Sequence, residues 1–245
     1  MNSIRLIGIL LKRKGPAHTL AMAEAHNRRK IPVELSTFAH IDPSKSASNQ
    51  ELISLNAMSL EDSILEVLNK RGVDLNHRTN RRKDKGFAIE WLFTVTLGYV
   101  GDHLQLYTDC LVWLKSYFPD CPLVHAVVHY DENEPHMHVI MVPLDGTRLP
   151  ASELLSYKGG SKTRLNSLYA AVGTKHGLIA RTSLTGSVKK AAAKAVIKAL
   201  ELRGIPTVLQ NAWPPMKACI QNSPDGFLDP LSIQIAQLPS FGSEA

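Results

Sequence analysis

Three histidines within ten positions carry the most chemistry in this chain. His129, His136 and His138 lie in the run His129-Tyr130-Asp131-Glu132-Asn133-Glu134-Pro135-His136-Met137-His138, with apolar stretches on both sides. Neutral imidazole is a common ligand of divalent metals. Three such ligands leave the full charge on the ion and keep positions open for water and substrate, the mark of a catalytic rather than a closed structural site. An ion held in this way polarises a phosphoryl oxygen as a Lewis acid. All-imidazole ligation does not choose between manganese, zinc, nickel and cobalt, and magnesium ordinarily prefers oxygen. Asp131 and Glu132 are the nearest carboxylates able to hold the second ring nitrogen of a ligand, a supporting role assigned first to Asp131.

The elements around this run must bring the three rings together. Leu123 to His129 and His136 to Val142 read as strands, and the turn-rich loop between them makes them an antiparallel pair. His129 and His136 then meet at the loop end. His136 and His138, two residues apart, share one face, and a one-residue slip would turn both away from His129. Ser3 to Leu11 and Ala88 to Leu97 read as further strands. Ala21 to Lys30 begins as a helix and runs into Pro32, and Ile41 to Ser48 reads as a polar loop. Ser59-Leu60-Glu61-Asp62 opens a helix that Gly72 stops. Leu104, Tyr107, Leu111, Leu114 and Phe118 form a helical stripe, as do Leu165, Leu168, Tyr169 and Val172 between Ser161 and Gly177. Ser187 to Arg203 is a basic, alanine-rich helix. The expected fold class is α+β: a central antiparallel sheet carrying the histidine hairpin, flanked by helices, with the helix from Ser161 over one face. Residues 1–204 are expected to form this domain. Residues 205–245, rich in proline, are expected to be a poorly ordered tail.

At 245 residues, 44% hydrophobic and 20% charged, the chain has the composition of a soluble globular protein. Ile4 to Leu11 is apolar but too short to span a membrane, and no signal peptide is expected at the start. Three cysteines at irregular spacing suggest no disulfide framework, so a cytoplasmic protein is expected. The net charge is +6. It is clustered at Lys12-Arg13-Lys14, at Arg28-Arg29-Lys30, at Arg78 with Arg81-Arg82-Lys83 and Lys85, and at Lys189-Lys190 with Lys194 and Lys198. One such cluster is ordinarily a solvated face. Four of them beside a phosphoryl-transfer site point to contact with a nucleic-acid backbone.

A metal that polarises phosphate still needs a nucleophile. Two N-terminal segments bear on this: His26-Asn27-Arg28-Arg29, and Asp42-Pro43-Ser44-Lys45-Ser46-Ala47-Ser48-Asn49-Gln50-Glu51-Leu52. Together with His129-x-Asp131-Glu132-x-x-Pro135-His136-x-His138, they resemble, in order, the motifs of the MobV (Mob/Pre) plasmid mobilisation relaxases, a group of the HUH endonucleases also called plasmid recombination enzymes. The resemblance runs from about Ile4 to Leu178. It implies a site- and strand-specific nick at a plasmid transfer origin, made on single-stranded or hairpin DNA. In this family the histidine corresponding to His26 attacks the scissile phosphate and stays joined to the 5′ phosphate. Arg29 and Glu132 would assist His26. Asn27, Lys45, Asn49, Arg78, Arg81, Arg82 and Lys83 would contact DNA. The expected ion is manganese, with magnesium or another divalent metal as alternatives, and host transfer or coupling proteins are possible partners. Gln50 stands where many relatives carry an aromatic residue, and Lys45 replaces an arginine that could grip phosphate bidentately. Two other readings stay open: a replication initiator or transposase using a tyrosine, for which Tyr130 is the candidate, and a non-catalytic DNA-binding protein with a structural metal site.

Overall fold

The computed structural model describes residues 3–30, 41–77, 86–96, 98–156, 160–178, 184, 186–206, 210–222, 224–228, 231 and 233. Its contacts divide the chain into two compact units, Met1–Arg181 and Thr182–Ala245.

The first unit is built on five strands: β1 (Ile4–Leu11), β2 (Gln50–Ile53), β3 (Ala88–Val95), β4 (Leu123–His129) and β5 (His136–Met141). They form one sheet in the order β1-β3-β5-β4-β2, every neighbouring pair antiparallel. β5 is therefore central, flanked by its hairpin partner β4 and by β3. Near-continuous apolar runs in these three strands suit a sheet covered on both faces.

Alternation along the strands separates two cores. On one face Trp91 and Phe93 of β3, Met137 and Val139 of β5, and Val128 of β4 pack against α3 (His103–Tyr117). Leu168 at the end of α5 (Gly160–Leu168), and Val172 in the π-helical turn Tyr169–Gly173 that follows, complete this core. The helical segment expected from Ser161 thus covers one face, although it changes from α to π hydrogen bonding at Tyr169. On the other face Ala88, Ile140 and Val142 pack against α1 (Leu20–Asn27) and α2 (Leu60–Lys70). Leu60, Ile64 and Leu68 are the buried stripe of α2, at the spacing of one helical face. Ser59 caps this helix, its hydroxyl accepting from Asp62 N at 3.0 Å. A short helix, α4 (Ala151–Ser156), lies outside the elements read from the sequence.

The sequence reading assigned no strand between Ile41 and Ser59. Instead, Asp42 caps a 3-10 turn over Pro43–Ser48, and β2 follows as an edge strand on β4. Four residues are too few to show an alternation that sequence can reveal.

The second unit holds α6 (Gly186–Arg203), α7 (Trp213–Asn222) and α8 (Asp225–Leu228). The division between units falls at Arg181, where a boundary after residue 204 was expected. It groups α6 with the segment expected to be a poorly ordered tail, because Ala192, Ala193 and Val196 of α6 share a small core with Ile220 and Leu228. Pro214 and Pro215 open α7 rather than break it. In a first turn the missing N–H of proline would have had no intrahelical acceptor. All three cysteines are free thiols, and among the described residues no helix is long and apolar enough to cross a membrane.

Because α2 covers the face that carries the histidines, its cap matters to that face. Replacing Ser59 by alanine is expected to cost about 1 kcal/mol, measured by urea denaturation. An unchanged midpoint would show the cap to be idle.

Candidate metal centre

The register of the β4–β5 hairpin sets His129 directly opposite His136 and His138 opposite Val127. The pleat then turns all three rings to the face covered by α1. Ring centroids of His129, His136 and His138 lie 5.0 to 5.2 Å apart. His26, in the last turn of α1, comes within 5.2 Å of the His129 ring and 5.1 Å of the His138 ring. One ligand atom from each of the four histidines lies within 4.8 Å of all the others.

Each hairpin histidine has one ring nitrogen tied to a group that can only accept. His129 Nε2 faces the carbonyl of Asn27 at 3.3 Å, His136 Nδ1 faces that of Glu134 at 2.8 Å, and His138 Nδ1 faces Glu90 Oε1 at 2.9 Å. Those nitrogens must carry the proton, so His129 Nδ1, His136 Nε2 and His138 Nε2 are left with lone pairs. His129 Nδ1 and His138 Nε2 are buried without a hydrogen-bond partner. Buried lone pairs of this kind, converging from three rings whose other nitrogens are fixed, fit a divalent cation.

Burial, reinforced by charge at His138, lowers the pKa of His129 and His136 and brings that of His26 from 6.5 to about 4. Glu132 opposes the shift at His26 without cancelling it. Neutral imidazole is the form that binds metal and the form that can act as a nucleophile.

Arg29 organises the carboxylates. It holds the left-handed backbone conformation just past α1, with φ of 52°, a conformation that favours glycine and costs a larger residue of order 1 kcal/mol. Its guanidinium reaches Asp131 through Nε at 2.8 Å and Nη2 at 2.5 Å, and Glu132 through Nη2 at 2.7 Å. Glu132 Oε1 lies 3.5 Å from His26 Nε2, 3.6 Å from His129 Nδ1 and 3.7 Å from His136 Nε2. It therefore stands within reach of the candidate nucleophile and of two ligand rings.

Several residues sit elsewhere than the sequence suggested. Asp131 touches no ligand ring. It accepts from Arg29, from Ser46 Oγ at 2.6 Å and from Asn49 Nδ2 at 2.8 Å. Burial raises its carboxyl, but these donors, Arg29 first, bring it well below the usual carboxylate range. Asn49, expected to meet DNA, turns inward: its amide holds Asp131 and its oxygen accepts from Tyr130 N at 2.7 Å. Asn27, also expected on DNA, is buried and donates to Glu90 Oε1 at 3.1 Å. Lys45 is exposed and paired with Asp42 at 3.2 Å. Arg78, Arg81, Arg82 and Lys83 lie outside the described residues. Tyr130 packs on the α3-side core, across the sheet from the histidine rings, and burial raises its pKa.

Glu90 was not among the expected site residues. Burial raises its carboxyl, yet the hydrogen bond and charge of His138, with the amide of Asn27, bring it below its usual value. The sequence signal was a lone carboxylate inside the apolar strand Ala88–Val95, where an acid is rarely buried without a partner.

Glu90→Gln keeps the shape but loses the charge that holds His138. Manganese affinity is expected to fall about 10- to 100-fold, read by calorimetric titration, and an unchanged affinity would remove Glu90 from the site. In metal-free protein the buried histidines bind protons more tightly once unfolded. Stability is therefore fully present above pH 6.5 and declines as pH falls toward the folded value of about 4 for His26. Urea midpoints with chelator at about pH 7.5 and about pH 5 should differ in that direction. Equal midpoints would contradict the burial of neutral imidazoles.

The comparisons with known proteins agree with this architecture. Residues 7–178 match the plasmid recombination enzyme family (Mob_Pre). A curated plasmid recombination enzyme of Streptococcus agalactiae is 31% identical over 150 residues, 58% of this chain but only 29% of that relative. The MobM relaxase domain (MOBV; Mob_Pre), solved Mn-bound with 22-nucleotide pMV158 oriT DNA, superposes with a TM-score of 0.59 at 24% identity, covering 72% of this chain and 88% of that one. A second Mn-bound complex of the same domain gives a TM-score of 0.57 at 26% identity, covering 74% and 91%. With the family matched over most of its length and the relaxase-domain fold shared, the chain belongs to the plasmid recombination enzyme (Mob/Pre) family.

Proposed function

We propose that this chain is a plasmid mobilisation relaxase that makes a metal-dependent, strand-specific nick at a transfer origin. The observation that carries the reading is the convergence of His26 with His129, His136 and His138, all four ligand atoms within 4.8 Å of one another. The Mn-bound, oriT-bound state of the MobM domain supports the choice of ion and of DNA. The site would take a divalent ion, manganese by preference, on the free nitrogens of His129, His136 and His138. When bound, the ion supplies Lewis-acid polarisation of a non-bridging oxygen of the scissile phosphate.

The remaining chemistry belongs to the chain's own residues. His26 Nδ1 lies 3.5 Å from Arg29 Nη1, a group that can only donate. This favours the tautomer with the proton on Nε2, facing Glu132. The lone pair is then on the other ring nitrogen: as it attacks phosphorus the N–P bond forms and the P–O3′ bond breaks, while the Nε2 proton passes to the Glu132 carboxylate and leaves the ring neutral. The leaving 3′ oxygen takes up a proton and becomes a hydroxyl. The product is a phosphoramidate between His26 and the 5′ phosphate. It keeps the energy of the broken ester bond, so the 3′ hydroxyl can reverse the reaction without a nucleotide cofactor. Arg29 holds Glu132 in place and offsets charge beside the reacting phosphate.

The four-histidine arrangement favours one competing reading, in which His26 is a fourth ligand of a closed, structural site on a non-catalytic DNA-binding protein. One variant separates the two. His26→Ala should eliminate the covalent protein–DNA adduct on supercoiled plasmid carrying the origin, while retaining manganese binding within a few-fold, and His136→Ala should lose both. An adduct that persists in His26→Ala, detected by mass spectrometry on another residue, would overturn the nucleophile. Loss of metal binding in His26→Ala, with no adduct in the parent protein, would favour the structural site.

A further inference from the structure

The second unit carries a surface that the nicking site does not use. α6 runs 18 residues, Gly186–Arg203, with four lysines and one arginine against one glutamate. Ala192, Ala193 and Val196 face the small core shared with Ile220 and Leu228. Lys190, Lys194 and Lys198 are exposed. At 100° per residue they fall on one line along the helix, roughly opposite the core, spaced about 6 Å apart. No carboxylate of the described residues is ion-paired with any of the three. Glu201 would continue the same line, but it is paired with Lys217 at 2.6 Å and its charge is offset.

We infer that this lysine line of α6 is a second DNA contact, binding the phosphate backbone of duplex DNA without reading sequence. It rests on the relaxase reading only for the identity of the polymer. Three ammonium groups held in a row and free of acids suit a polyanion carrying one charge per ~1.7 Å of duplex axis. Lysine is a mobile point charge, suited to phosphates of any sequence rather than to base edges. A second contact on the same chain raises the local concentration of DNA at the first, so its effect is on residence and on salt dependence. The alanine-rich, well-packed inner face explains why the helix persists with so much like charge on its outer side.

The test uses the full chain and a duplex oligonucleotide lacking any origin sequence, so that its outcome does not depend on nicking. Binding is followed by fluorescence anisotropy across a series of salt concentrations. In the triple variant Lys190→Gln, Lys194→Gln, Lys198→Gln, the slope of log affinity against log salt should become shallower by about two to three. The corresponding triple arginine variant should keep the parent slope. Glu201→Gln removes the acid on the line and frees Lys217, so it should tighten binding and steepen the slope, a gain that misfolding cannot mimic. Unchanged slopes in both the glutamine triple variant and Glu201→Gln would overturn the inference. So would loss of binding to vesicles containing phosphatidylserine alongside unaltered duplex binding, since the partner would then be an anionic membrane surface.

Discussion

The site depends on the buried carboxylate of Asp131. It gathers Arg29 from the end of α1, and Ser46 and Asn49 from the 3-10 turn and the start of β2, onto the loop that joins the two ligand strands. These segments are 82 to 102 residues away in sequence, and no backbone ladder joins α1 to that loop. A charge placed in a poorly solvated position is tolerated only when fully hydrogen-bonded, so each donor is required by the others. The consequence reaches the chemistry. Arg29, fixed on Asp131, fixes Glu132, and Glu132 in turn faces His26 and two ligand rings.

A second constraint is tautomeric. A histidine offers a lone pair to a cation from one nitrogen only, and which one is set by what the other nitrogen touches. Here two backbone carbonyls and one carboxylate make those choices. The carbonyl of Asn27 is the end of α1, so the helix that supplies His26 also orients the ligand His129. His26 and the three hairpin histidines are thus mechanically one assembly rather than two neighbours.

Much of this was legible in the linear sequence. The hairpin, its register and the shared face of His136 and His138 follow from two apolar strands, a turn-rich loop and a period of two. The capped helix at Ser59 and the stripe of α2 follow equally from local spacing, whereas on α3 the buried stripe is Leu106, Tyr107, Cys110, Trp113 and Leu114 and the expected Leu104 is exposed. The motif segments were also recognisable, but their roles were not. Asn27 and Asn49 were read as polar residues for DNA, whereas both are spent inside the protein. Glu90 carried no site role in the sequence, because nothing in its own strand shows that His138 lies beside it, and β2 was too short to show a pattern. The proline-rich stretch after residue 205 was read by composition, which does not reveal that prolines in a first turn permit a helix.

The sequence by itself determined the three hairpin histidines, the face they share and the elements that carry them. These rest on backbone geometry within one strand or helix, where spacing alone decides direction. Only the tertiary structure decided which carboxylate supports His138, which holds Arg29, and that His26 stands beside the ligands while Tyr130 stands across the sheet. Those outcomes depend on which elements pack together. A polar side chain buried at such a contact takes whatever partner the packing brings within about 3 Å, and no spacing along the chain specifies that partner.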